Sequence, residues 1–79
     1  MDKKLENFIK FQIKVYESEL KDIARRIFDP DKHAMYQARL LGIVYGLMVI
    51  ESILTIYDKD DLPELKSLTK KVGAIVDEL

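Results

Sequence analysis

Apolar residues in the first third of the chain recur at alternating steps of four and three. This spacing holds for Leu5, Ile9, Ile13, Tyr16, Leu20, Ile23 and Ile27. Such steps keep side chains on one side of an α-helix, because successive residues turn through about 100°. The pattern predicts a long amphipathic helix over about residues 2–28, with this apolar side facing a core.

The apolar pattern stops at Asp29-Pro30-Asp31. Proline disfavours the helical conformation in the residue before it, and Asp29 can cap a second helix with Pro30 at its first position. Since the turn is short, the sequence predicts an antiparallel helical hairpin whose second helix covers about residues 30–57.

A charged cluster, Asp58-Lys59-Asp60-Asp61, ends the second helix. Asp61 and Glu64 have the spacing of a capping box, and Pro63 falls in a first turn that needs no N–H donor. Helical spacing then resumes at Leu65, Leu68, Val72, Ile75 and Leu79. The sequence therefore predicts a shorter third helix over about 61–78, and one all-α domain over residues 1–79.

The second helix differs from the others because it is apolar on every side from Leu40 to Ile50. It also carries a ridge of small residues four apart: Ala34, Ala38, Gly42 and Gly46. Glycine inside a helix is about 1 kcal/mol less favourable than alanine. Two such glycines therefore indicate close packing against another helix, of the same chain or of a second copy, and the remaining alternative is a ridge that faces lipid.

A count of neighbours favours the second copy. A helix that is apolar all round needs cover on about three sides, and this chain supplies only two other helices. We therefore expect a homodimeric helical bundle. The expected self-association residues are Ala34, Met35, Tyr36, Ala38, Gly42, Tyr45, Gly46 and Val49.

The first helix carries two further features outside its core stripe. Phe8, Phe11 and Val15 form a second apolar strip, which either receives the third helix or contacts a partner protein. A basic stripe consists of Lys3, Lys10, Lys14, Lys21 and Arg25. Such a stripe is commonly a solvated face, and its alternatives are nucleic acid, an acidic membrane surface or an acidic protein.

Composition excludes several classes of protein. Cysteine is absent, which removes disulfide frameworks, thiolate metal sites and thiol catalysis. A formal charge of −1 gives no global field for nucleic acid. The uninterrupted apolar run between Arg39 and Glu51 falls short of the roughly 20 residues that span a bilayer. We expect a cytoplasmic, not a membrane-spanning, protein, and the Lys, Ile and Asp content suits a bacterial or phage product.

Candidate catalytic and metal-binding residues fail on chemical grounds. His33 with Asp29 and Asp31 would need a further metal ligand from elsewhere. The aspartates at 58–61 lack the glycine and the glutamate of a calcium loop. No Glu-x-x-His pair of a bundle metalloenzyme occurs, and Glu51 is expected at the polar edge of helix 2. The sequence predicts no catalytic, cofactor-binding or metal-binding residue, and no enzyme.

The expected function follows by elimination. The first hypothesis is a small protein–protein interaction module, a regulator, inhibitor or adaptor, that acts as a helical homodimer. The first alternative is a nucleic-acid-binding dimer that uses the basic stripe of helix 1. The second is a helical-bundle enzyme with a site at the dimer interface, which would require a closed polar cavity.

Overall fold

The computed structural model describes residues 2–59 and 62–79. Three α-helices follow one another along the chain: α1 (Lys3–Arg26), α2 (His33–Ile56) and α3 (Pro63–Glu78). The described residues are 84% helical and contain no strand. Each helix contacts the other two. The predicted all-α fold of three helices is confirmed.

One core of apolar side chains joins the three helices. Every member of the predicted α1 stripe belongs to it, with Leu5 and Tyr16 half-buried at its edge and the other five buried. α3 contributes Leu65, Leu68 and Val72, as its helical spacing predicted. The contribution of α2 comes from one side of that helix: Tyr36, Leu40, Ile43, Leu47, Ile50 and Leu54.

The turn between α1 and α2 differs from the prediction. Asp29 does not cap α2, because its Oδ1 accepts a hydrogen bond from the backbone N–H of Asp31 at 3.0 Å. Its carbonyl accepts another from the backbone N–H of Lys32, also at 3.0 Å. These two bonds close a separate turn around Pro30. α2 therefore begins at His33, three residues after the predicted start.

His33 has a structural place in this turn. It is half-buried at the first residue of α2, and its Nδ1 lies 2.7 Å from the carbonyl oxygen of Ile27. Since a carbonyl oxygen can only accept, Nδ1 carries the proton and donates it. The imidazole thus satisfies a carbonyl that the end of α1 leaves without a helical partner.

The turn between α2 and α3 also contacts α1 near its N-terminus through an ion pair. Asp58 adopts a φ of 52°, and the N–H of Lys59 donates to the carbonyl of Leu54 at 2.9 Å. Lys59 Nζ lies 3.5 Å from Glu6 Oε1 on α1. Pro63 opens α3 as predicted. The predicted capping box of Asp61 and Glu64 lies outside the described residues, because Asp61 is not among them.

Asp22 joins α1 to α2 through its carboxylate. Oδ2 accepts a hydrogen bond from Arg39 Nη1 on α2 at 3.1 Å. Oδ1 lies 3.3 Å from both Arg25 Nη2 and Arg26 Nε. The hydrogen bond from Arg39 lowers the pKa of Asp22 below its usual 3.8, against partial desolvation, and the neighbouring guanidinium charges add to the lowering.

Asp22→Asn should destabilise the fold at neutral pH, and the loss should disappear in acid. A carboxyl whose pKa is lowered in the folded state stabilises that state above the unfolded pKa, and this stabilisation is lost as pH falls through the folded pKa. Urea unfolding followed by circular dichroism at pH 7, 5, 3 and 2 measures the difference between the two proteins. Asp77→Asn on exposed α3 is the control. A difference that persists unchanged at pH 2 would contradict the assignment.

Candidate association surface

The side of α2 opposite the core is exposed and carries no charged residue. Its exposed positions follow one another at steps of four and three along the whole helix. We call this surface the outward face: Ala34, Ala38, Leu41, Gly42, Tyr45, Met48, Val49, Ser52 and Ile56. Ser52 Oγ donates to the carbonyl of Met48 at 2.9 Å, so this hydroxyl is satisfied within the helix. Steps of four and three are the spacing by which two helices interlock.

The outward face is large enough to form an interface. Tyr45 and Val49 are 59% and 58% exposed, and Ile56 is 77% exposed. If a large side chain has about 150–200 Å² of surface, the face leaves on the order of 700 Å² of mostly apolar area in water. Stable interfaces of standard size bury about 600–1000 Å² from each partner, and the outward face falls within that range.

The total surface of the chain supports the same conclusion. Its accessible area is 5547 Å² for a mass of 9.2 kDa. A compact monomer of that mass exposes about 4900 Å². The excess is of the same order as the outward face, so one copy of the chain buries less surface than is usual for its size.

The predicted ridge of small residues is divided between two environments. An ideal Cβ on Gly46 would lie 2.6 Å from Cζ and 2.9 Å from Cε2 of Tyr16, so α1 packs directly on this glycine. A Cβ on Gly42 would meet no atom within 4 Å. Gly46 thus serves packing within the chain, while Gly42 lies on the outward face.

The structure places the other predicted association residues in two groups. Ala34, Met35, Ala38, Tyr45 and Val49 are exposed, like Gly42. Tyr36 is buried in the core at 6% exposure, and the Arg39 guanidinium lies 4.9 Å from its ring centroid. Tyr36 and Gly46 are therefore occupied inside the chain and are not part of the outward face.

Four residues of the outward face were absent from the sequence prediction: Leu41, Met48, Ser52 and Ile56. The predicted ridge consists of every fourth residue. Residues at that constant spacing do not stay on one side of a helix but move gradually around it, here toward α1. Steps of four and three from Ala34 would have stayed on one side and included all four positions.

An apolar groove extends the outward face toward the end of α3. It has a volume of about 450 Å³. Its lining comes from both helices: Ala34, Gln37, Ala38, Leu40, Leu41, Val44, Val76 and Leu79. Leu79, which follows α3, therefore lines the same groove as Ala34 and Ala38 in the first turns of α2.

On α1, α3 leaves the second apolar strip largely uncovered. Phe8 and Phe11 are 62% and 63% exposed, and Val15 is half-buried. In the basic stripe, Lys10 Nζ lies 3.9 Å from Glu6 Oε1, and Arg25 is paired with Asp22. Lys3, Lys14 and Lys21 are exposed, and the described part of the chain gives them no ion pair.

The described residues include no group of three or more His, Cys, Asp or Glu side chains that could hold a metal ion. His33 is engaged with a backbone carbonyl, and Glu51 is exposed. One helix among them, α2, is long and apolar enough to cross a membrane by length and composition, and 28% of its most apolar window is buried. Core helices and membrane spans both satisfy that test.

Gly46→Ala and Gly42→Ala should have opposite effects on stability. The new methyl at position 46 has to displace the outer end of the Tyr16 ring, and this cost of about 1–3 kcal/mol should outweigh the gain of up to about 1 kcal/mol in helix propensity. The methyl at position 42 meets open space, so the better helix propensity of alanine should add up to about 1 kcal/mol. Urea unfolding at low protein concentration, where association contributes least, measures both changes. Equal signs would contradict the division of the ridge.

Comparison of the chain with protein-family models, with curated proteins and with solved structures finds no match in any of the three.

Proposed function

We propose that this protein is a small protein–protein interaction module, a regulator, inhibitor or adaptor, that acts as a helical homodimer. The outward face of α2 carries this proposal. An apolar face that runs the length of a 24-residue helix without a charge is unusual on a surface exposed to water. The outward face of a second copy is complementary to it, because both faces are apolar and their side chains are evenly spaced along the whole helix.

In the proposed dimer, α1 and α2 form an antiparallel hairpin and the two α2 helices pack on each other in a larger helical bundle. The hairpin is supported by two contacts: Asp22 late in α1 meets Arg39 early in α2, and Tyr16 meets Gly46. Ala38 and Gly42 are small enough to let the two α2 backbones approach closely. Tyr45 and Val49 lie beside them and can fill the space on either side.

We further propose that α2 acts as an association helix in a cytoplasmic protein and does not span a membrane. Six of its side chains already belong to a core shared with α1 and α3. Arg39 forms an ion pair with Asp22, and Glu51 lies near the middle of the C-terminal half of α2. A membrane-spanning α2 would have to give up that core and desolvate both charges.

The proposal includes no enzymatic activity and no cofactor. The groove beside α3 is lined mainly by aliphatic side chains, and the Nδ1–H of His33 already donates a hydrogen bond to the carbonyl of Ile27. Catalytic sites instead combine convergent polar groups with shifted pKa values.

The molar mass in solution tests the dimer. Light scattering on the purified protein should give twice the chain mass of 9.2 kDa at micromolar concentration. Dilution should shift the mass toward one chain, because the association is reversible. A mass of one chain across the whole concentration range would contradict the proposed homodimer.

A further inference from the structure

The exposed side of α1 combines aromatic and basic side chains. On a helical projection with 100° per residue, the core stripe of α1 occupies one side of the helix. The Phe8–Phe11–Val15 strip and the basic stripe lie to the left and right of the point directly opposite that side. The two features therefore lie next to each other on the side that faces away from the core. We call this surface the α1 outer face, and it is separate from the outward face of α2.

The basic and acidic residues of α1 differ in their exposure to solvent. The helix has seven basic residues, and six of them are exposed: Lys3, Lys4, Lys14, Lys21, Arg25 and Arg26. All four of its acidic residues, Glu6, Glu17, Glu19 and Asp22, are half-buried. Two of these acids are further occupied in ion pairs, Glu6 with Lys10 and Lys59, and Asp22 with three arginines. The same ion pairs engage Lys10, Arg25 and Arg26, so the exposed basic residues of α1 without an ion pair among the described residues are Lys3, Lys4, Lys14 and Lys21. With seven basic and four acidic residues, α1 has a formal charge of +3, although the whole chain has a charge of −1.

We propose that the α1 outer face docks on an anionic membrane surface. The lysines, on long flexible side chains, pair with lipid phosphates at the level of the headgroups. Phe8 and Phe11, one helical turn apart and both more than 60% exposed, enter the boundary between headgroups and acyl chains. α1 lies in the plane of the surface, with its core stripe turned toward α2 and α3.

The combination of charge and apolar area favours lipid over the other anionic partners. Nucleic acid offers phosphates to the lysines, but its backbone gives no apolar environment to Val15 and the adjoining rings. A helix on the outside of a bundle is convex, and the groove that α1 lines at Ser18, Lys21, Asp22, Ala24 and Arg25 contains three charged side chains, so it is not an apolar seat for a partner side chain. A lipid interface supplies both the charge and a deformable apolar layer.

Sedimentation with lipid vesicles tests the proposal on the full chain. The probes are vesicles of phosphatidylcholine alone and vesicles with 40% phosphatidylglycerol. We expect binding to the anionic vesicles only, and a loss of at least tenfold in the partition coefficient between 0.1 M and 0.5 M NaCl. Phe8→Ser with Phe11→Ser, and separately Lys14→Gln with Lys21→Gln, should each reduce partitioning at least fivefold.

Matched variants on α3 separate this surface from general effects of charge and apolarity. Lys70→Gln with Lys71→Gln removes the same charge from exposed positions, and Val76→Ser removes a partly exposed apolar side chain. These should leave partitioning within twofold of the parent, with circular dichroism showing that all variants fold. Equal losses in the α3 variants, equal binding to neutral vesicles, or tighter salt-sensitive binding to a 20-base-pair DNA duplex would each overturn the proposal.

The outcome is independent of the proposed dimer, because light scattering on the same samples reports association separately. A dimer that stays in solution with anionic vesicles overturns the membrane proposal alone. A monomer that binds them through Phe8 and Phe11 overturns the homodimer alone.

Discussion

We expect the double substitution Ala38→Glu, Tyr45→Glu to convert the protein from a dimer into a folded monomer. Both positions lie on the outward face and are exposed in the single chain, so neither glutamate disturbs the core. In the dimer each carboxylate would lose its hydration and face the same charge of the other copy. Such burial costs several kcal/mol per ion, and about 3 kcal/mol already weakens a dissociation constant by roughly a hundredfold.

Light scattering and circular dichroism together measure this change. The variant should have the mass of one chain, 9.2 kDa, at concentrations where the parent protein has twice that value, and it should keep its helical spectrum. The control is Ser67→Glu with Ala74→Glu, which adds the same charge to exposed positions of α3. If the control dissociates equally, net charge is responsible. If the α2 variant remains a dimer, another surface forms the interface.

The three helices could be predicted because each signal for them is local. The steps of four and three from Leu5 to Ile27 depend only on helix geometry, and all seven positions lie in or beside the core. The predicted start of α2 was wrong because the side chain of Asp29 can form either of two local structures. Its side chain can cap a helix or close a turn with Asp31, and the second choice leaves room for His33 to bond Ile27.

The outward face of α2 could be predicted only in part, because the side of α2 that is exposed depends on how the helices are rotated. Gly42 and Gly46 are equivalent in sequence, yet they differ by about 40° around the helix, since four residues turn through about 400°. Tyr16 covers the second glycine and not the first. Tyr36 was also among the expected self-association residues, and its side chain lies in the core. Which side of an all-apolar helix the core occupies is a tertiary property that no local pattern contains.

Leu68→Ala should remove a large part of the stability of the fold. Leu68 lies on the side of α3 that faces the core and is fully buried at 0% exposure. Truncating such a leucine costs about 2–5 kcal/mol of folding stability. A domain of this size has only about 4–12 kcal/mol in total. Urea unfolding is best measured in the monomeric Ala38→Glu, Tyr45→Glu background, so that association does not contribute.

Leu41→Ala is the matched control for that experiment, since it makes the same chemical change on the outward face. Leu41 is 51% exposed, and in the monomeric background its truncation should cost less than about 0.5 kcal/mol. In the parent protein, the same truncation should instead weaken association, because there it removes a contact with the second copy. If Leu41→Ala costs the monomer as much as Leu68→Ala does, the outward face is covered within the chain, and the homodimer loses its main support.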